Sequence, residues 1–252
     1  MKSAQMRAVN PDIACAEPPK TAQNPNIPAW ARVIADFTPR DGREEAERRA
    51  MLALIAQHGD ALLCRDFELA HMTSSSIIVS RDRQRTLMAF HKIYQSWAWT
   101  GGHNDGEGDF LAVALREARE ETGIRTLTPL HDGPASVEVL PVWAHVRRGA
   151  WVPSHLHLNV SFLFEADERE PLRIAEDENS AVGWIPVAQL EQYVTEPTML
   201  PIYMRLIGRA NVLIFLTNIM RNRLRRCQSF VILQVQKGGN GKRLDTTRRQ
   251  FN

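Results

Sequence analysis

The sequence predicts an α/β protein in which a mixed β-sheet is sandwiched between helices, behind a small N-terminal helical lead-in. Three observations support this prediction. Strand-like segments stand on both sides of a central amphipathic helix at 109–122. The apolar spacing before them, from 29 to 64, is helical. Finally, 44% hydrophobic and 24% charged residues are typical of a soluble globular protein with a core of normal size.

The chain begins with two segments that differ in composition and in apolar periodicity. Residues 1–28 are rich in Pro, Asn, Ala and Lys without periodicity, which predicts a mobile leader. That leader lacks the apolar run of a secretory signal. Residues 29–66 form the predicted helical lead-in, where Asp41 suits a helix N-cap and Gly59 suits a helix end.

The main domain is predicted to span residues 67–209. Within it, the β-rich runs 76–80 and 86–91 are joined by a polar turn, which predicts a hairpin. Further strands are predicted at 96–100, 137–147, 155–165 and 184–185, and further helices at 187–193 and 201–220.

The central helix has a conventional design. Asp109 can cap its first turn, and Gly123 suits the left-handed residue that follows a helix. Leu111, Leu115 and Ala118 fall at i, i+4 and i+7, so they form one apolar face. We expect that face to pack on the core.

Three glutamates share another side of this helix. Glu117, Glu120 and Glu121 stand at i, i+3 and i+4, where like charges repel by a few tenths of a kcal/mol per exposed pair. One interpretation is a solvated acidic face that Arg116 and Arg119 partly neutralise. The other is a Mg²⁺ site, because Mg²⁺ takes carboxylate ligands and is completed by substrate phosphates. The glycine-rich turn before the helix favours the second interpretation, since it permits a tight backbone near a phosphate.

Residues 102–124 resemble the Nudix box, G-x5-E-x7-R-E-U-x-E-E-x-G-U, where U is a bulky aliphatic residue. Ala118 fills the first U position with a smaller residue, and Gly108 stands where the family has Glu. That Glu pairs with the motif arginine in the family, so Arg116 needs another partner, Glu107 or Asp109. The matching residues are Gly102, Arg116, Glu117, Glu120, Glu121, Gly123 and Ile124.

The resemblance continues outside the box, over about 71–206. Its local signatures are Trp-x-Trp-Thr-Gly-Gly-His at 97–103 and Asp-Glu-Asn-Ser at 177–180. The resemblance implies a Nudix fold and a hydrolase that cleaves the diphosphate linkage of a nucleoside diphosphate joined to another moiety.

The same resemblance implies the site residues. Mg²⁺ is the expected metal, with Mn²⁺ as an alternative. Glu178, six residues before Trp184, is the positional candidate for a further ligand, with Asp177 next. Gly102, His103, Arg116 and Gly123 are expected as substrate-contacting or structural residues of the motif. The implied metal ligands on the helix, one of which supplies the general base, are Glu117, Glu120 and Glu121.

Several aromatic residues allow two interpretations each. His103 can contact phosphate or metal, or hold the loop backbone. His155 and His157 alternate on a strand and face one side, either toward the substrate cleft or outward. Trp97 and Trp99 also share a face, and core packing is favoured there over base stacking.

The partners that the sequence predicts are small nucleotides or related diphosphates. A net charge of only +2 gives no reason to expect specific nucleic-acid binding, and a homodimer stays open. Three scattered cysteines indicate neither a disulfide framework nor a zinc knuckle and fit a cytoplasmic setting. The longest apolar stretch, around 212–220, is about half of a transmembrane helix.

Residues 210–252 form a basic tail, with nine Lys and Arg against one acidic residue from 221 onward. We interpret it as a poorly ordered or accessory extension. Alternatives are an amphipathic segment for membrane surfaces or RNA, an extension that packs on the core, and a product of an altered reading frame.

Two other classes of function compete with the hydrolase. A Nudix-like module that binds or senses nucleotides without cleaving them is indicated only by Gly108, whereas the three glutamates favour catalysis. A nucleic-acid-binding protein is indicated only by the basic tail.

Overall fold

The structure is a computed structural model that describes residues 27–147 and 149–211. Its centre is an eight-stranded mixed sheet in which β10, β2, β1, β9 and β5 are neighbours in that order. In addition, β3 pairs with β2, β4 with β1 and β6 with β9, while β7 and β8 form a separate two-stranded sheet. The strands are β1 Ala70–Ser80, β2 Arg85–His91, β3 Ser96–Ala98, β4 Thr100–His103, β5 Thr128–Pro129, β6 Ser136–Val142, β7 His145–Arg147, β8 Ala150–Val152, β9 His155–Ala166 and β10 Asn179–Pro186.

Helices cover both faces of the large sheet. Residues of α1, α2 and α3 share a hydrophobic core with one face, and residues of α4 and α5 share a second core with the other face. This arrangement confirms the predicted sandwich and its helical lead-in. The α-helices are α1 Arg32–Ala35, α2 Gly42–His58, α3 Phe110–Thr122, α4 Leu190–Tyr193 and α5 over 200–211, with short 3-10 helices at Ala29–Ala31, Gly59–Leu63 and Val187–Gln189.

Strand β1 organises the sheet and is buried along its whole length. It pairs antiparallel with β2, where Ile78 lies opposite Leu87, which confirms the predicted hairpin. It also pairs antiparallel with β4 and parallel with β9. Because side chains alternate across a strand, Ile77 enters the core under α5, whereas Ile78 enters the core under α3.

Four predicted strands have clearly different bounds in the structure. The predicted run 76–80 is only the second half of β1, which begins at Ala70 because β1 pairs with β9 along its whole length. The segment 96–100 divides into β3 and β4, because the chain leaves β2 and joins β1 at that point. The segment 137–147 ends early at Val142, and a hairpin follows in which Gly149 adopts a positive φ of 81°. Strand β10 is longer than the predicted 184–185, because it pairs with β2 along most of its length.

The lead-in has the expected caps and belongs to the same globule. Asp41 accepts a hydrogen bond from the backbone N–H of Glu44 at 2.9 Å, and Gly59 ends α2 with a positive φ of 54°. Met51, Leu52 and Ile55 of α2 are buried in the core under α3. Of the predicted leader, residues 1–26 lie outside the described residues.

Helix α5 is tied to the sheet by buried charges. Arg205 donates to the Glu138 carboxylate at 3.3 Å, and Arg209 pairs with Glu44 of α2. Both glutamates are fully buried, so each depends on its arginine for compensation. The predicted tail beyond residue 211 lies outside the described residues. No helix of the part that is described is long and apolar enough to cross a membrane.

Candidate active site

Helix α3 sets the position of the three motif glutamates. Asp109 accepts the backbone N–H of Ala112 at 3.0 Å, and Gly123 adopts the left-handed conformation with a φ of 75°. Phe110 and Ala118 are buried toward the core, while the predicted Leu111 and Leu115 pack at its edge. The opposite side of α3 is thereby left for charged residues.

Glu121 is a buried carboxylate held between β4 and β10. One of its oxygens accepts the Gly101 N–H at 2.8 Å, and the other accepts the Asn179 side-chain amide at 2.9 Å. Burial raises the pKa of Glu121 to about 8, against the opposing effect of these two hydrogen bonds. Its position is therefore fixed, and its negative charge is stabilised only in part.

Glu117 lies directly against Gly102. A Cβ atom added at residue 102 would lie 2.4 Å from the Glu117 carboxyl carbon, so the carboxylate would have to move. Burial raises the pKa of Glu117, with a further increase from the charges of Glu120 and Glu178, while Arg116 opposes the shift. Gly102 thus lets β4 approach the carboxylate closely.

Glu178 reaches the same place from β10. It directly precedes Asn179, and its backbone carbonyl accepts the Lys92 N–H at 3.1 Å. The next residue, Asn179, donates to Glu121, which places the start of β10 beside α3. The charge of Glu178 adds to the rise that burial causes in the pKa of both Glu117 and Glu121. Glu120 is exposed at the rim of the cluster. The carboxylates named from the sequence therefore converge where α3, β4 and β10 meet.

Comparison with known proteins identifies the family at this point. A family model described as NUDIX domain matches residues 70–206. The chain belongs to the Nudix family. No curated protein matches it.

Solved Nudix structures resemble the chain at low identity. A C. elegans Ap4A hydrolase binary complex is 18% identical with a TM-score of 0.41, over 58% of this chain and 98% of that one. The NUDIX domain of Shewanella oneidensis NrtR complexed with ADP ribose is 16% identical with a TM-score of 0.41, over 57% and 91%. An E. coli dihydroneopterin triphosphate pyrophosphohydrolase is 15% identical with a TM-score of 0.41, over 55% of this chain and 92% of that one.

The Nudix-box arginine has a different partner from those expected. Arg116 donates to the Glu117 carboxylate at 3.0 Å, so the expectation of Glu107 or Asp109 is wrong. Both alternative carboxylates make local hydrogen bonds instead. Glu107 accepts the backbone N–H of Asp109 at 2.9 Å, and Asp109 caps α3.

Gly108, the departure from the Nudix box, is explained by the lead-in. A Cβ atom at residue 108 would lie 2.8 Å from the Cβ of Trp30. The Trp30 indole donates to Asp60 at 2.8 Å and meets the Phe110 ring edge-on at 5.9 Å between centroids. The space that a glutamate would need at 108 is therefore filled by the lead-in, so Gly108 no longer favours a non-catalytic module.

Trp97 and Trp99 take part in packing. Trp97 meets the ring of Tyr193 edge-on at 6.2 Å, and Trp99 lies 5.3 Å from the ring of Tyr203. Both indoles pack against the core under α5. This agrees with the interpretation favoured from the sequence.

Histidines gather on the other face of β4. His71 and His157 meet each other, and each of them also meets His103 and His155, with ring centroids about 5 Å apart. Burial lowers the pKa of His71, and it lowers the pKa of His157 to about 2, so both rings are neutral near pH 7. His71 was missed from the sequence, because only the pairing of β1 with β9 places it there.

Proposed function

We propose that this chain is a metal-dependent Nudix hydrolase that cleaves the diphosphate linkage of a nucleoside diphosphate joined to another moiety. Family membership supports a Nudix pyrophosphohydrolase in general. The observation that carries the finer proposal is the convergence of Glu117 and Glu121 on the backbone of Gly101 and Gly102. Glu178 is added because its neighbour in sequence, Asn179, donates to Glu121.

The carboxylate cluster fits Mg²⁺, with Mn²⁺ as an alternative. Its donors are oxygens, which both cations accept. Burial raises the pKa of Glu117 and Glu121, and neighbouring carboxylate charges raise it further. A cation among them would stabilise both negative charges. Glu117, Glu120, Glu121 and Glu178 are the proposed ligands. When bound, the metal supplies charge neutralisation of the diphosphate and lowers the pKa of a bound water.

The remaining residues of the motif orient this cluster. Gly102 admits Glu117 close to β4, Arg116 holds the Glu117 carboxylate, and Gly123 ends α3 just after Glu121. A glutamate of α3 takes the proton from the attacking water, a role suited to a carboxylate whose pKa is raised toward neutrality. Glu117, Glu120 and Glu121 are the proposed candidates for that general base.

The proposed partner is a small nucleotide or related diphosphate in the cytoplasm. The similar structures concern Ap4A, ADP ribose and dihydroneopterin triphosphate. These three compounds, sugar nucleotides and oxidised nucleotides therefore form the first substrate panel.

The test measures release of phosphate and nucleoside monophosphate from this panel by the full chain, with Mg²⁺, with Mn²⁺ and with a chelator. We expect metal-dependent turnover of at least one diphosphate. Glu191→Gln, an exposed glutamate of α4, serves as the matched control for substitutions in the cluster. Absence of turnover of every diphosphate would replace the hydrolase with the nucleotide-binding module.

A further inference from the structure

A histidine triad occupies the side of β4 that faces away from the motif glutamates. Its members are His71 of β1, His103 of β4 and His157 of β9. One side-chain nitrogen from each lies within 4.8 Å of the other two. The three ring centroids are 5.0 Å apart in every pair. Three adjacent strands thus direct three imidazoles to one point.

The strand register accounts for this convergence. His71 pairs directly with His157 across the parallel strands β1 and β9. His103 pairs with Thr73 across β1 and β4, and Thr73 shares a face with His71 because it lies two residues along the strand. The triad therefore belongs to the rigid centre of the sheet.

His71 has a buried ring nitrogen without a hydrogen bond among the described residues. Its Nδ1 lies 3.4 Å from the carbonyl oxygen of Phe67, which can only accept, so Nδ1 carries the proton. Nε2 then holds a lone pair, and it is buried with no hydrogen-bond partner among the described residues. A buried nitrogen without a partner destabilises the fold, and a bound cation would remove that cost.

A hydrogen bond from His157 to His155 fixes the tautomer of His157. The Nδ1–H of His155 donates to the carbonyl of Pro153 at 2.9 Å, so its Nε2 is an acceptor. That Nε2 lies 3.3 Å from Nε2 of His157, which makes His157 the donor and leaves a lone pair on its Nδ1. Hydrogen bonds of this kind fix the tautomer of metal-binding histidines.

From this geometry we propose that His71, His103 and His157 form a second metal site, which binds a borderline divalent cation, Zn²⁺ in the first place. Imidazole nitrogens suit Zn²⁺, whereas Mg²⁺ prefers oxygen ligands. Tetrahedral Zn²⁺ with bonds of about 2.0–2.1 Å needs ligand nitrogens roughly 3.3 Å apart. The present nitrogen separations reach 4.8 Å, so binding requires the rings to reorient toward the ion. Three protein ligands leave a fourth position open for water or a substrate atom.

The proposed site is distinct from the glutamate cluster. Gly102 faces Glu117, whereas the next residue, His103, points to the opposite face of β4. One chain would therefore hold an oxygen-ligand site and a nitrogen-ligand site on either side of a single strand. The zinc proposal does not depend on hydrolase activity.

The test uses the full chain freed of metal with a chelator and carrying Glu117→Gln and Glu121→Gln, which remove the competing carboxylates. We expect one Zn²⁺ per chain by titration. X-ray absorption should show imidazole nitrogens around it, and Co²⁺ should give the visible spectrum of a tetrahedral site. Circular dichroism would establish that each variant is folded.

Substitutions of single histidines sharpen the test. His155→Gln should weaken zinc binding by roughly 10- to 100-fold, the effect of losing an outer hydrogen bond. His103→Gln and His157→Gln should weaken it further, because each removes a ligand. His131→Gln, an exposed histidine of a loop, should leave the affinity unchanged.

Two outcomes would overturn the proposal. One is zinc affinity unchanged in folded His103→Gln and His157→Gln variants. The other is zinc binding that disappears with the two glutamate substitutions, which would assign the metal to the carboxylates. Because the readout is metal binding, failure of hydrolysis would leave the zinc result intact, and the two proposals fail separately.

Discussion

The two faces of β4 carry opposite chemistry. On one face, Glu117 and Glu121 are carboxylates whose pKa values are raised by burial and by neighbouring charges. On the other, His71 and His157 are imidazoles whose pKa values are lowered by burial. Both groups concentrate electron-pair donors that the chain itself satisfies only in part. The difference in donor atoms would select oxygen-seeking and nitrogen-seeking cations on opposite sides of one strand.

The largest expected effect is on the glutamate face. Glu121→Gln should lower metal-dependent hydrolysis by at least about 100-fold, because it removes a ligand and a candidate base. The fold should persist, since the Asn179 side-chain oxygen has no partner among the described residues and can accept the new amide after a flip. The test compares hydrolysis rates and circular dichroism spectra of Glu121→Gln with those of the control Glu191→Gln. Full activity in Glu121→Gln would remove Glu121 from the site.

A smaller effect is expected at the strand itself. Gly102→Ala places a methyl group against the Glu117 carboxylate and displaces it, and a misplacement of about 1 Å costs roughly 100-fold in rate. We expect a loss of roughly 10- to 100-fold, with zinc binding by the histidines retained. Gly208→Ala in α5 meets nothing within 4 Å and is the control. Equal losses in both variants would contradict this role of Gly102.

The smallest effect is expected at Gly108, where the Nudix box has Glu. Gly108→Glu restores the family residue but collides with Trp30, and overpacking of this kind costs about 1–3 kcal/mol. We expect a lower free energy of unfolding in urea and no gain in hydrolysis. In a Trp30→Ala background, Gly108→Glu should lower the free energy of unfolding by less than it does in the unmodified chain. A stable, more active Gly108→Glu single variant would show that the lead-in does not exclude glutamate.

The two faces also differ in how far the sequence predicts them. The glutamates lie on one helix, where the fixed spacing of i, i+3 and i+4 sets their neighbourhood and Asp109 and Gly123 mark the helix ends. Glu178 is predicted from its position before Trp184, and it directly precedes Asn179 of β10, which donates to Glu121. Local rules and one family resemblance were sufficient there.

The histidine triad depends on long-range pairing that the sequence alone does not show. His71 meets His157 only through the parallel register of β1 and β9, which is not specified by local pattern. The contact of Trp30 with Gly108 is likewise long-range, so the sequence alone does not explain the missing glutamate. The predicted partner of Arg116 was wrong because Glu107 and Asp109 make local hydrogen bonds instead. The break of the predicted strand 137–147 depends on a hairpin turn at Gly149.

Manganese binding, followed by electron paramagnetic resonance on the full chain freed of metal, tests the central claim most directly. The account predicts a bound Mn²⁺ that is lost in Glu121→Gln and kept in His103→Gln. It is contradicted if Mn²⁺ remains bound in Glu121→Gln with unchanged affinity, or if the histidine substitution alone releases it.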